Sequence, residues 1–242
     1  MKISIIIPAY NEGNSIKSAI KVIDEFLKAG AENYEIIVVD DGSKDKSTQL
    51  VQQLAGKNDK IILLKNGANR GKGYSVKRGM LQATGDIRVF ADADMSTPIE
   101  TLTGMIEFVK NGYDVVIGSR RTQGAVIEIR QNFLRENMGR VFNMLVRLIV
   151  LRGFSDTQCG FKLFTKKAAE NIFKLQKFDN FVFDVEILYI AKKLGFKIIE
   201  APVKWYNSTD SKVRPFRDSL SMFLDLFKIR FFHRKIRKMA DA

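Results

Sequence analysis

With 242 residues, 45% of them apolar and 28% charged, the chain can bury a proper core and reads as globular, as one large domain or two small ones. A single cysteine, Cys159, excludes an internal disulfide framework and suits a reducing compartment, and no apolar run approaches the roughly 20 residues needed to span a bilayer. The net charge of +13 asks for an acidic partner: nucleic acid, an anionic membrane surface or phosphorylated substrates.

Through the first half, strand and helix patterns alternate. Residues 3–7 are a short apolar run stopped by Pro8, hence a buried strand and not a secretory signal. The spacing of Ile16, Ile20, Ile23 and Leu27 predicts a core-facing helix over 15–27. Residues 35–39 form the next strand, ended by Asp40-Asp41-Gly42-Ser43. A helix over 47–54, a strand over 60–64 and a helix over 73–83 follow, then a strand over 87–90, a helix over 97–109 and a strand over 114–118. This alternation predicts an α/β fold with a mostly parallel sheet covered by helices on both faces.

The polar clusters 8–11, 40–43 and 92–96 each fall after a strand and before a helix, so they should converge in the crevice at the carboxyl ends of the strands. No Gly-x-Gly-x-x-Gly follows the first strand, which argues against a nicotinamide or flavin site. Gly71-Lys72-Gly73 is too short and too late to be a Walker-type phosphate loop. Asp92-Ala93-Asp94 is the most pointed cluster. Two carboxylates two residues apart at a strand end can share one hard divalent cation, Mg2+ or Mn2+, whose shell substrate phosphates complete. The same pattern also makes solvated turns, so the rest of the chain has to decide.

In the second half, an apolar helix over 132–151 carries Arg135, Arg140 and Arg147. A loop over 153–160 leads to a short strand over 161–164, followed by a helix over 184–194 and a strand over 197–203. A final helix over 216–237 has Leu220, Phe223, Leu224, Phe227 and Phe231 along one face. Lys228, Arg230, Arg234, Lys235, Arg237 and Lys238 crowd its end, with no acid among them until Asp241. His233, the only histidine, sits among these cations and reads as an interface passenger, not a catalyst. There is no internal repeat and no low-complexity linker.

Four segments together, Ile6-Ile7-Pro8-Ala9-Tyr10-Asn11-Glu12, Val38-Val39-Asp40-Asp41-Gly42-Ser43, Asn69-Arg70-Gly71-Lys72-Gly73 and Asp92-Ala93-Asp94, resemble the family-two glycosyltransferases of the GT-A fold in order and spacing. Gly118-Ser119-Arg120, Asp156-Thr157-Gln158-Cys159-Gly160-Phe161-Lys162-Leu163-Phe164, Phe183-Asp184-Val185-Glu186 and Ser211-Lys212 are similar to the polyprenyl-phosphate sugar synthases. Within that group, Thr157-Gln158-Cys159-Gly160-Phe161-Lys162 resembles dolichyl-phosphate glucosyltransferases, where mannosyl counterparts usually carry Thr-Ser-Gly-Phe-Arg. The resemblance covers roughly residues 3–220 and implies a GT-A domain over 1–212, with a nucleotide-sugar half at 1–100 and an acceptor half at 101–212. A basic amphipathic helix then fills 213–242. Three departures stand out. The transmembrane anchor of eukaryotic glucosyl enzymes has no counterpart ahead of Ile3, Ser96 replaces a metal-holding Gln of mannosyl synthases, and Tyr206 replaces one of their Arg residues.

The resemblance implies a nucleotide-diphosphate sugar donor, UDP-glucose first and GDP-mannose second, and a polyprenyl phosphate acceptor. Asp94 would be the direct metal ligand, with Asp92 on the metal or the ribose. Pro8, Tyr10 and Glu12 would line the nucleoside pocket and Asp41 would contact the base. Ala9, Val39, Lys72 and Ala93 belong to the same donor site, and Lys212 would meet the diphosphate. A phosphate monoester has a second pKa of about 6 and is already a nucleophile near neutrality. It needs a cationic cradle more than a general base, and Arg120 and Arg135 are the candidates, because guanidinium groups bind phosphate oxygens in a bidentate way. Neither Asp156 nor Glu186 is expected to act as an obligatory base. Direct displacement would invert the anomeric centre.

Such an acceptor is insoluble, so the helices near 133–151 and 220–231 are expected to lie in the membrane interface, their basic residues against anionic head groups. This places the protein in the cytoplasm, peripherally bound to the cytoplasmic face of the membrane, with the oligomeric state open. Nucleic acid is not expected as a partner, since no interleaved basic-aromatic motif is present. The rival readings are a nucleotidyltransferase, which would carry a Gly-rich loop after the first strand, and a glycosyltransferase with a soluble hydroxyl acceptor, which would need a catalytic carboxylate.

Overall fold

Along the first two strands successive buried residues alternate between two apolar clusters, one on each face of the sheet. In β1 (Lys2–Ala9), Ile3, Ile5 and Ile7 join one apolar cluster and Ile6 the other; in β2 (Asn33–Asp40), Ile36 and Val38 face the first cluster, Ile37 and Val39 the second. Both faces are therefore covered, as the near-continuous apolar runs of parallel strands require. The computed structural model describes residues 1–129, 133–207 and 215–239, with the backbone alone at 133–136 and 215–221.

The first cluster is roofed by α1 (Ile16–Gly30), α2 (Ser47–Ala55) and α4 (Thr101–Lys110), which supply Ile16, Ile20, Val51, Leu102 and Met105. The second takes α3 (Lys72–Gln82), α5 (Phe133–Ile149), α6 (Lys166–Leu175), α7 (Phe183–Leu194) and α8 (Pro215–Phe232). Burying each large aliphatic side chain contributes about 1.5–3 kcal/mol. Helix α3 lies close on β1 because a Cβ at Gly79 would overlap Ile6.

The remaining strands are β3 (Ile61–Lys65), β4 (Ile87–Ala91), β5 (Val115–Ser119), β6 (Val126–Ile129), β7 (Phe161–Thr165), β8 (Ile198–Pro202) and β9 (Lys204–Tyr206). Among the described residues seven of the nine strands form one sheet in the order β3-β2-β1-β4-β7-β5-β8, parallel except for β7, which runs antiparallel to both β4 and β5. The other two, β6 and β9, pair in parallel as a small second sheet. The mostly parallel, doubly covered α/β arrangement expected from the sequence is the one observed.

Several local expectations are corrected. Pro8 does not stop β1 but extends it past Ile6, the last residue paired with β4, where a missing N–H is tolerated. Helix α4 starts at Thr101, not at 97, because the chain first makes tight turns in which Thr101 N–H and Leu102 N–H donate to the carbonyls of Pro98 and Ile99. The single strand expected over 197–203 is β8 alone, with β9 following after Val203. Helix α6 was not anticipated; its start is capped by Thr165, whose side chain accepts from Ala168 N–H, and it buries Ala168, Ala169, Ile172 and Phe173.

Helices α5 and α8 are apolar on two sides. Phe142 and Val146 of α5, and Met222, Leu226 and Ile229 of α8, are buried in the second cluster. Their outer sides carry Val141, Met144 and Leu148, and Leu224, Phe227 and Phe231, all more than half exposed. The outer spacing is i, i+3, i+7 on both helices, which is one helical stripe. Among the described residues no helix is long and apolar enough to cross a membrane.

Candidate active site

The carboxyl ends of β1 and β2 form one wall of a crevice, stitched by hydrogen bonds between the loops that follow them. Asp41 N–H donates to Ala9 O at 2.8 Å. Asn11, at a positive φ of 53°, donates its N–H to Ser43 Oγ at 2.9 Å and accepts from Lys44 N–H at 2.8 Å. Glu12 N–H donates to Ser47 Oγ at 2.8 Å, and the Glu12 carboxylate accepts from Ser15. Pro8, Tyr10 and Glu12 lie half-buried along this wall, whereas Ala9, Val39 and Ala93, expected in the donor site, are buried in the core, Val39 completely.

Asp41 has a task that the sequence did not suggest. Its buried carboxylate accepts from Asn66 Nδ2 at 2.7 Å, Arg70 N–H at 2.9 Å and Gly71 N–H at 2.8 Å, which pins the loop ahead of α3. That loop delivers Lys72, the first residue of α3, to the end of β4. Lys72 Nζ lies 2.6 Å from Asp92 Oδ1. Beneath it, the buried Asp184 carboxylate pairs with the fully buried Lys162 ammonium, which also donates to Cys159 O at 2.6 Å. Burial works against the Lys72 ammonium, yet Asp92 and Asp184 outweigh it and carry its pKa above the ordinary lysine value. Burial pushes the Asp184 carboxyl up, against the pull of Lys162 and Lys72.

Asp92 is packed against the loop before β7: a Cβ at Gly160 would overlap its carboxylate, and Asp92 N–H donates to Gly160 O at 3.2 Å. A sharp turn with Met95 at φ 51° follows, in which the exposed Asp94 accepts from Ser96 N–H at 3.0 Å.

On the other side, at the end of β5, Arg120 meets Asp156 in a fork. Its Nε and Nη2 lie 2.6 and 2.9 Å from the two carboxylate oxygens, and its backbone N–H adds a third bond at 3.1 Å. Burial alone would raise the Asp156 carboxyl, but the Arg120 guanidinium holds it down at about 2. Glu200 of β8 accepts from Ser155 and Asp156 N–H at 2.8 and 2.9 Å, and the Trp205 ring lies 5.3 Å from the guanidinium. The Arg120 side chain, expected as a phosphate grip, thus presents its Nε edge to Asp156. Arg135 lies on α5, but its side chain is outside the described residues, as are Lys212 and the Leu220 side chain.

The sequence profile of Glycosyl transferase family 2 matches residues 4–173. The chain belongs to the family 2 glycosyl transferases. It is 40% identical over 243 residues to the dolichyl-phosphate beta-glucosyltransferase of Dictyostelium discoideum, a match spanning 95% of this chain and 74% of that protein. The Homo sapiens dolichyl-phosphate beta-glucosyltransferase is 33% identical over 242 residues, 95% of this chain and 75% of that protein. Among solved structures, glucosyl-3-phosphoglycerate synthase from Mycobacterium tuberculosis, in complex with Mn2+, UDP and phosphoglyceric acid, superposes with a TM-score of 0.66 at 19% identity, over 100% of this chain and 80% of that one. The GT-A fold and the likeness to glucosyl enzymes expected from the motifs are both borne out.

For this glycosyltransferase, the acidic corner suits a hard cation. Among the described residues no three His, Cys, Asp or Glu side chains converge into a protein-only cage. Instead one partly exposed and one exposed carboxylate sit beside a lysine, a donor set that leaves most of a Mg2+ or Mn2+ shell to phosphate and water. The two carboxylates weighed as bases are occupied: Asp156 by Arg120, and Glu186 by His233 Nε2 at 2.6 Å. His233 is therefore no interface passenger. It is 2% exposed and faces inward from the end of α8. The sequence also left Asn66, Lys162, Glu200 and Trp205 unassigned, although Lys162 lies inside the Asp156–Phe164 motif.

Proposed function

We propose that this glycosyltransferase moves glucose from UDP-glucose to a polyprenyl phosphate of the dolichyl class at a membrane surface, with inversion. One observation carries the reading. The loop Asp156–Gly160, whose Gln158-Cys159 pair distinguishes glucosyl from mannosyl relatives, touches Arg120 at one end and Asp92 at the other. The segment in which the sequence resembles glucosyl more than mannosyl enzymes thus lies between the donor corner and Arg120.

The donor's nucleoside would lie along the wall of Pro8, Tyr10 and Glu12, with its diphosphate at Lys72, Asp92 and Asp94. Mg2+ or Mn2+ held by the two aspartates would supply positive charge to the leaving diphosphate. Lys72 adds a fixed cation at the same place. A phosphate oxygen of the acceptor, aligned by Arg120 and Arg135, forms the bond to the anomeric carbon as the bond to the diphosphate oxygen breaks, and the nucleoside diphosphate departs. No proton needs to be removed, which agrees with the occupied state of Asp156 and Glu186. Helices α5 and α8 would bring the enzyme to its insoluble acceptor through their outer apolar stripes, with Lys228, Arg230, Arg234 and Lys235 exposed beside them.

A donor panel of radiolabelled nucleotide sugars with a short-chain polyprenyl phosphate, followed by solvent extraction, tests this. Label from UDP-glucose is expected in the organic phase. Extraction of mannose from GDP-mannose instead would reassign the sugar, and label that stays aqueous with every lipid acceptor would favour a hydroxyl acceptor.

A further inference from the structure

Behind Lys72 stands a brace that begins on the C-terminal helix. His233, one residue past α8, meets Glu186 Oε1 at 2.6 Å, and Glu186 is fully buried. The same carboxylate accepts from the backbone N–H of Lys177 at 2.8 Å and of Phe178 at 3.0 Å. A second tie joins Asn180 Nδ2 to Asp225 Oδ2 of α8 at 2.8 Å, and the rings of Phe178 and Phe232 lie 5.9 Å apart. The loop between α6 and α7 is therefore tied to the C-terminal segment at three points, two on α8 and one through Glu186 to His233.

That loop in turn grips the start of α3. Asp179 O accepts from Gly73 N–H at 2.8 Å, and Gln176 Nε2 donates to Gly73 O at 2.9 Å. The approach is so close that a Cβ at Gly71 would overlap Asp179 O, and one at Gly73 would press on Phe178 O. This explains the two glycines around Lys72, which serve backbone contact and not a phosphate loop. Lys72 leaves the gripped turn and reaches Asp92.

We infer that Glu186 and His233 are positioning residues of the donor site: by holding loop 176–180 against Gly71 and Gly73 they fix the Lys72 ammonium beside Asp92. Neither touches the reacting atoms. The inference rests on the donor-site reading of Lys72 and Asp92. A packing role alone would lower thermal stability and weaken donor and acceptor use alike, whereas positioning raises the donor KM selectively.

The test compares His233→Ala, His233→Gln and the exposed-loop variant Asn180→Ala with Lys72→Ala. UDP binding in the presence of Mn2+ and KM values for UDP-glucose and a short polyprenyl phosphate are measured on full-length protein. His233→Ala and Asn180→Ala should weaken UDP binding roughly tenfold, within the usual range of coupling between sites. The lipid KM should stay within about twofold, and His233→Gln, which keeps an N–H donor, should recover most of the loss. Because Asn180 is exposed, its variant remains informative if His233→Ala fails to fold. Unchanged UDP affinity in folded His233→Ala, or in folded Asn180→Ala where His233→Ala fails to fold, with Lys72→Ala impaired, would overturn the brace while leaving the donor site intact. Unchanged affinity in Lys72→Ala would overturn both.

Discussion

Two cation–carboxylate pairs flank the crevice, and they differ in how water reaches them. In Lys72–Asp92 the carboxylate side chain is 34% exposed, and Lys72 has Asp184 as a second acidic neighbour. In Arg120–Asp156 the carboxylate is fully buried and bonded through both oxygens, and the Asp156 backbone N–H is fastened to Glu200 of the neighbouring strand. An exposed carboxylate can be shared with a metal and a diphosphate at little cost. A sealed one cannot be removed without stranding a guanidinium, so its work is to aim Arg120.

The difference is broken most forcefully at Asp156. Asp156→Ala should destabilise the fold by about 3–5 kcal/mol in urea unfolding, because it leaves Arg120 without its partner. Asp92→Ala should cost about 1 kcal/mol or less, since Lys72 retains Asp184. Equal losses would erase the distinction between the pairs. Catalysis should rank the other way: Asp92→Ala and Asp94→Ala are expected to lower transfer by at least about a hundredfold at unchanged fold, measured with saturating acceptor, and a chelator should do the same to the parent enzyme. Transfer indifferent to chelator would remove the metal from the scheme.

Acid sharpens the comparison. The folded Asp156 carboxyl sits at about 2, below its ordinary 3.8, so its contribution is present above about pH 4 and fades as pH falls toward 2. Its size is about 2 kcal/mol. The stability gap between the parent and Asp156→Asn should therefore narrow over that window; a gap that stays constant would contradict the pairing. The smallest effect on stability should come from the outer stripe. Replacing Leu224, Phe227 and Phe231 with Ser should change the melting temperature little yet reduce binding to anionic vesicles at low salt, whereas Leu226→Ala on the inner side should cost about 2–5 kcal/mol.

The first half of the molecule was legible because period-2 and period-3.6 patterns do not overlap there, and each polar cluster marks a strand end. The parallel core, both of its faces and the position of Asp92 and Asp94 followed from that alone. The second half mixes signals. Strand β7 runs between β4 and β5 in the opposite sense, which no local pattern records, and α8 is apolar on two sides: of the stripe read from Leu220, Phe223, Leu224, Phe227 and Phe231, Leu224, Phe227 and Phe231 lie outward, while Met222, Leu226 and Ile229 pack inward. His233 was misplaced for the same reason: its basic neighbours point outward and it does not. The ties of Asp41 to Arg70 and of Glu186 to Lys177 are backbone contacts closed by tertiary folding, and residue type gave no sign of them.

The most direct measurement is a crystal structure with a UDP-sugar and Mn2+. The proposed chemistry predicts the cation on Asp92 and Asp94, the diphosphate beside Lys72 and the sugar turned toward Arg120. A bound nucleotide whose diphosphate lies away from Lys72, with no cation between the two aspartates, would contradict it.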